Sequence, residues 1–180
     1  GGLGCDFVVT EEEQPPFDRE TIDPALLAAR PAGTAGIVRV AEPTASKILS
    51  VLDCGAAGVL VPHVSSAAKA QEIAAAARYR GGKRGFSNSP RAGGYGTLWT
   101  WQHVDAGDAA ATVIAMIEDP DALDEIEAIA AVDGLDGFFI GRGDLTVALG
   151  APAMDAPAVR IAVERIAAAA AAGGKTGLVM

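Results

Sequence analysis

Short apolar runs alternate with longer, alanine-rich stretches of helical period along this 180-residue chain. Phe7-Val8-Val9 is the first run, bounded by Glu11-Glu12-Glu13. A helix from about Asp18 to Arg30 follows, with Ile22, Leu26 and Leu27 spaced for one buried face. Gly36 to Val40 reads as a strand, Pro43 to Asp53 as a helix ending near Gly55, and Gly58 to Val61 as a third strand stopped by Pro62. Ser65 or Ser66 is placed to cap a helix running to about Tyr79. Beyond a gap the pattern resumes: strand Thr112 to Ile117, helix Asp121 to Ala131, strand Gly137 to Ile140, helix Pro157 to Ala172, strand Thr176 to Met180.

The gap, Gly81 to Gly107, has no periodicity, and within it Gly81 to Gly96 reads as a long, glycine-rich, locally basic loop of the kind that tends to be functional. Near-continuous apolar strands separated by helices indicate α/β architecture with parallel strands buried on both faces. A doubly wound sheet and a (β/α) barrel both satisfy that. No Gly-x-Gly-x-x-Gly follows the first strand and no phosphate-binding Gly-x-x-x-x-Gly-Lys-Ser/Thr occurs. Four strands end in ionisable residues: Glu11/Glu13, Arg39, Glu118 and Arg142/Asp144. Barrel enzymes assemble their sites from such strand ends, which favours the barrel.

Composition narrows the partners. The net charge of −9 and pI near 4.6 leave no basic surface for nucleic-acid phosphates and no polybasic membrane anchor. No apolar run approaches the ~20 residues of a membrane span, and no signal segment is visible at Gly1 to Asp6. Cys5 and Cys54 are too few for a disulfide framework or a cysteine-built metal site. A cytoplasmic protein is the expectation.

Glu118 closes the run Val113 to Ile117, where a charge is costly unless solvated, paired or bound to metal. Asp144 follows the next strand through Gly141-Arg142-Gly143. Two carboxylates on neighbouring strand ends, with water completing the shell, suit Mg²⁺ or Mn²⁺, with Co²⁺ or Zn²⁺ as other candidates. The alternative is that each caps the helix after its strand. Arg39, alone in an apolar strand, must face an anion, either a substrate oxygen or a protein carboxylate. Arg142-Gly143-Asp144 also spells an adhesion tripeptide, but that role needs an exposed loop tip, and here the triplet follows a buried strand.

Several of these segments resemble the HpcH/HpaI aldolase (2-keto-acid aldolase/citrate lyase-like) family: Gly55 to Val64, Arg84-Gly85-Phe86 through Arg91-Ala92 to Tyr95-Gly96, Met116-Ile117-Glu118, and above all Asp136 to Leu145. The resemblance covers essentially the whole chain. It implies a metal-dependent class II pyruvate aldolase on a (β/α)8 barrel of the TIM type, hexameric at full length. Such an enzyme cleaves 4-hydroxy-2-oxo acids to pyruvate and an aldehyde, or runs the reverse addition. By motif, Glu118 and Asp144 would be metal ligands, and Arg39 would stabilise the pyruvate enolate. The backbone N–H groups of Gly143 and Asp144 would hold the substrate carboxylate, and Arg91 and Tyr95 would shape the aldehyde pocket.

The resemblance also exposes departures. The family's Asp-x-Glu-His-x-Pro motif falls on Glu11, Glu13, Gln14 and Pro16, so Gln14 replaces the acid/base histidine and Glu11 its supporting aspartate. Glutamine does not exchange protons near neutral pH, which removes a contribution of about 10²–10⁴-fold. A metal-bound water, Glu11 or Glu13 are the substitutes. Met116 stands where many relatives carry glutamine. His63, at a strand end, reads as packing near the glycine-rich loop, with a catalytic role at the site mouth as the alternative, His103 as a surface or loop-packing residue, and Glu11 to Glu13 as partly a solvated run. The rival readings are a catalytically impaired homologue that still binds metal and oxo acid, and an acyl-CoA C–C lyase of the citrate lyase β type with Lys83-Arg84 on the CoA phosphates. Six strands against eight, and 180 residues against about 250, make the chain a single partial barrel domain of about six β/α units, residues 1–180, with edges near Phe7 and Leu178 exposed. It would also lack the segment through which the family oligomerises.

Overall fold

The computed structural model describes residues 4–14 and 18–179. Pro15, Pro16, Phe17 and Met180 lie outside them, and with them the proline of the aligned motif and the end of the last predicted strand. Packing divides the chain into two compact units, one reaching Leu60 and continuing through Ala75–Thr112, the other combining Val61–Ala74 with the residues from Val113 onward.

In the first unit, β1 (Phe7–Glu11), β2 (Ala35–Arg39) and the start of β3 (Gly58–Val61) run parallel, with α1 (Arg19–Ala29) and α2 (Ala45–Asp53) as crossovers. Asp18 caps α1 by accepting the Thr21 N–H at 3.1 Å, and Thr44 caps α2 through Lys47 N–H at 3.3 Å. Gly55, at φ +92°, ends the turn after α2, a conformation that costs other residues energy. Ile22, Leu26, Val38, Ile48 and Leu52 form the core, each buried side chain contributing about 1.5–3 kcal/mol. Leu27 is the exception to the predicted face: it is exposed. Phe7, Val8 and Val9 are also exposed.

The glycine-rich segment is more ordered than its pattern suggests. A 3₁₀ turn spans Arg91–Gly96, and α4 occupies Thr100–Ala110. His103, predicted at a surface or in loop packing, is fully buried between Tyr79 and Phe86, with ring centroids 5.5 and 5.4 Å away. Its Nδ1 lies 2.9 Å from Asn88 Oδ1 and its Nε2 3.2 Å from the Tyr79 hydroxyl. A neutral imidazole donating from Nδ1 and accepting at Nε2 satisfies both. Arg91, expected to shape an aldehyde pocket, instead binds the unit together. Its guanidinium donates to the carbonyls of Cys54 (2.7 Å) and Asp23 (3.3 Å), to Asp23 Oδ2 (2.7 Å) and to the Tyr95 hydroxyl (3.1 Å). The guanidinium in turn holds the Asp23 carboxyl below the usual carboxylate range.

In the second unit, β4 (Thr112–Ile117), β5 (Gly137–Ile140) and β6 (Thr176–Val179) are parallel, Ile117 pairing with Ile140 and Ile140 with Val179. Val113 to Ile117 are all buried, as are Phe138 and Ile140. α8 (Pro157–Ala172) buries Val159, Ala162, Ile166 and Ala169, a stripe of helical period. Ser66, one of two predicted caps, accepts the Lys69 N–H at 3.2 Å as α3 (Ala67–Ala77) begins. The helix predicted over Asp121 to Ala131 is two, α5 (Asp121–Asp124) and α6 (Ile126–Ala130), broken at Glu125. α7 (Arg142–Ala148) follows β5 directly. Six parallel strands with intervening helices thus agree with the α/β reading. No helix among the described residues is long and apolar enough to cross a membrane.

Burial, with the Arg84 charge second, pushes the His103 imidazole below its ordinary 6.5. The unfolded chain therefore takes up this proton first as pH falls. Stability contributed by neutral His103 is complete above 6.5 and declines as pH drops below it toward the lowered folded value. Chemical denaturation between pH 5 and 7 will show stability rising with pH, and His103→Gln will flatten that slope. An unchanged slope in the variant would refute the assignment.

Candidate functional site

In the first unit the chemistry gathers at the C-terminal ends of β1 and β2. Parallel register sets Glu11 directly opposite Arg39. Arg39 Nη1 donates to Glu11 Oε2 at 3.1 Å, and Nη2 forms an ion pair with Glu13. The Glu13 N–H closes the arrangement by donating to Glu11 Oε1 at 2.7 Å. The protein carboxylates foreseen as partners for Arg39 are thus Glu11 and Glu13. Arg39 Nε remains buried without a hydrogen-bond partner among the described residues. Gln14 follows, exposed.

Glu12 corrects the solvated-run expectation. It is buried, accepting from Lys47 Nζ at 2.7 Å and from the Ala41 N–H at 3.3 Å. Neither Glu12 nor Lys47 carried a signal in the sequence, because 35 residues separate the partners.

In the second unit, Glu118 follows the buried β4 and is itself 1% exposed. Its Oε1 accepts the His63 N–H at 2.8 Å. His63 reaches this position with φ +54°, a left-handed conformation costing a non-glycine residue about 1–3 kcal/mol. Its ring is half exposed, not packed away as expected: Nδ1 lies 3.2 Å from both Asp119 carboxylate oxygens and 3.5 Å from Glu118 Oε1. Asp119, next in sequence to Glu118, went unnoticed because no apolar context marked it.

Asp144 stands in the first turn of α7 and is exposed. The two carboxylates converge on the space that a side chain at Gly141 would fill. A methyl group there would lie 3.0 Å from Glu118 Oε2, 3.4 Å from Asp144 Oδ2 and 2.6 Å from Glu118 Cβ. Neither N-terminal cap of α5 or α7 is made by a side chain, so the helix-capping alternative for these carboxylates is not what the structure adopts. The first hydrogen bond of α7 is donated by Leu145 N–H to Gly141 O at 3.0 Å, which leaves the N–H groups of Gly143 and Asp144 outside the helical ladder. The Arg142-Gly143-Asp144 triplet lies within this helix, not on a loop tip.

Two hard oxygen donors, one buried and one open to solvent, fit a divalent cation that takes its remaining ligands from water or substrate. Among the described residues no group of three or more His, Cys, Asp or Glu side chains is arranged to enclose a metal. The fit is therefore to an open carboxylate pair and not to a closed structural site. Arg84, assigned with Lys83 to a CoA phosphate in one rival reading, is buried over Tyr79 and bonded to Asp53 at 3.2 Å, whereas Lys83 is exposed.

Comparison with known proteins shows the family. The family model for HpcH/HpaI aldolase/citrate lyase matches residues 2–179. The chain is 34% identical over 177 residues to a 5-keto-4-deoxy-D-glucarate aldolase of Escherichia coli O139:H28 (strain E24377A / ETEC), covering 97% of this chain and 68% of that protein. It superposes on the crystal structure of the citrate synthase SbnG with a TM-score of 0.89 and 31% identity, over 99% of this chain and 69% of the other. For the HpcH/HpaI aldolase of Desulfitobacterium hafniense DCB-2 the TM-score is 0.91 at 26% identity, over 99% and 69%. The chain belongs to the HpcH/HpaI aldolase/citrate lyase family of enzymes.

Proposed function

We propose that this chain carries the chemistry of a divalent-metal-dependent class II aldolase acting on 4-hydroxy-2-oxo acids, yielding pyruvate and an aldehyde. The observation that supports it most is that Glu118 Oε2 and Asp144 Oδ2 both lie within 3.4 Å of the position a side-chain carbon at Gly141 would occupy. Glu118 and Asp144 are the proposed holders of the cation, Mg²⁺ or Mn²⁺ by donor type. When bound, the metal supplies Lewis-acid polarisation of the 2-oxo group.

The remaining roles belong to the chain's own groups. The N–H groups of Gly143 and Asp144 are proposed to bind the substrate C1 carboxylate, by resemblance to the family. Arg39 is assigned to the enolate oxygen on the same ground, with Nε as the donor not yet engaged. In cleavage, the proton leaves the C4 hydroxyl, the C3–C4 bond breaks, and its electron pair passes to the enolate, which takes a proton at C3. Glu11 and Glu13 are the carboxylates of the aligned motif proposed for those transfers, but both are bonded to Arg39. Gln14 offers no substitute base.

That commitment favours a second reading, an impaired homologue that binds metal and oxo acid but turns over slowly. Exchange of the pyruvate C3 protons with solvent deuterium, in the presence of Mn²⁺, separates the two. The aldolase reading predicts measurable exchange and retro-aldol cleavage by the chain as it stands, with Gln14→His raising both by about 10²-fold or more. Exchange only after Gln14→His supports the impaired homologue, and none in either protein overturns the aldolase reading. Gly141→Ala, whose methyl group would press on Glu118, is expected to cost about 1–3 kcal/mol of stability and to abolish the rise in melting temperature that Mn²⁺ gives the unaltered chain. Full metal-dependent stabilisation in that variant would contradict the placement.

A further inference from the structure

A cavity of about 300 Å³ opens in the first unit at the N-terminal end of β3, reached from the loop before that strand and from α4. Glu11 and Arg39 lie at the C-terminal ends of their strands, so this cavity is separate from the chemistry assigned to them. Its walls are out of character for a chain of net charge −9: Arg30, Arg84 and Arg91 line it, with no carboxylate among the lining residues. Small residues, including Ala57, Ala106 and Ala110, leave the interior open.

Arg84 is the informative member. Its side chain is 2% exposed and its guanidinium lies 4.4 Å from the Tyr79 ring centroid. One amine donates to Asp53, yet Nε is buried without a hydrogen-bond partner among the described residues. A buried guanidinium with an unmet donor is costly unless something completes it. Arg91 is answered by Asp23, whereas Arg30, exposed just past α1, adds a third positive charge at the rim. Two aspartates behind three arginines leave the cavity positive.

We infer that this cavity is a binding site for the oxyanion group, phosphate or carboxylate, of a small metabolite, with Arg84 as its buried anchor and Arg30 at its entrance. Guanidinium groups recognise such planar or tetrahedral oxygens through paired N–H donors. The site is distinct from the proposed aldolase chemistry and stands or falls independently of it.

Titrating inorganic phosphate and, separately, succinate into the full chain tests this, read by the NMR cross-peak of the buried arginine Nε–Hε group and by melting temperature. Sodium chloride at matched ionic strength is the control. A saturable shift of that cross-peak and a rise in melting temperature are expected, and whichever anion binds more tightly identifies the group. Arg30→Gln, at an exposed position, should weaken binding about tenfold. Ala106→Leu, on the solvent side of α4, should weaken it by filling the cavity while leaving all three arginines in place. The inference is overturned if neither anion gives a saturable shift, if chloride reproduces it, or if both variants bind as the unaltered chain does.

Discussion

The second unit is organised around one buried negative charge. Glu118 ends a strand whose residues from Val113 to Ile117 are all buried, and it is as buried as they are. Removing a carboxylate from water costs several kcal/mol unless its surroundings answer it. The local backbone does so at Oε1, where His63 adopts a positive φ and directs its N–H at the carboxylate. Gly141 does so by omission, since any side chain there would collide with Glu118. The Gly141 N–H also bonds the Ile117 carbonyl at 3.1 Å, tying the end of β5 to the end of β4. From that fixed point α7 begins, and its first turn carries Asp144 to the same place.

The first unit solves the opposite problem, a cation in an apolar strand. Arg39 could not remain in β2 without anions, and parallel register supplies them from the end of β1. Three consecutive glutamates divide the labour: Glu11 and Glu13 hold Arg39, and Glu12 turns inward to Lys47. This arrangement holds the guanidinium in place between two carboxylates, themselves joined by the Glu13 N–H bond to Glu11.

Much of this was legible from residue pattern. Every predicted strand is present, because parallel strands write themselves as short apolar runs, and the carboxylates and arginine at their ends stand out against that background; the expected burial holds for the inner strands, whereas β1 and β6 are largely exposed. What was hidden depends on contacts distant in sequence. α4 buries only His103 and Val104, so it has almost no apolar period to detect, and it is secured by Tyr79, Phe86 and Asn88. Arg91 looked functional by position on a glycine-rich segment, yet its partners, Asp23 and Cys54, lie 68 and 37 residues away. The burial of Glu12 and the turn of His63 toward Asp119 are likewise decided by tertiary neighbours.

The central claim is that Glu118, anchored by the His63 N–H, and Asp144, in the first turn of α7, together bind a divalent cation. Electron paramagnetic resonance of Mn²⁺ titrated into the chain measures this directly, since free and bound ions give different signals. The account predicts one Mn²⁺ bound per chain, with binding weakened about tenfold or more by Asp144→Asn and lost in Glu118→Gln, whose amide oxygen can still accept the His63 N–H and preserve the fold. Binding unaltered by both substitutions would contradict it.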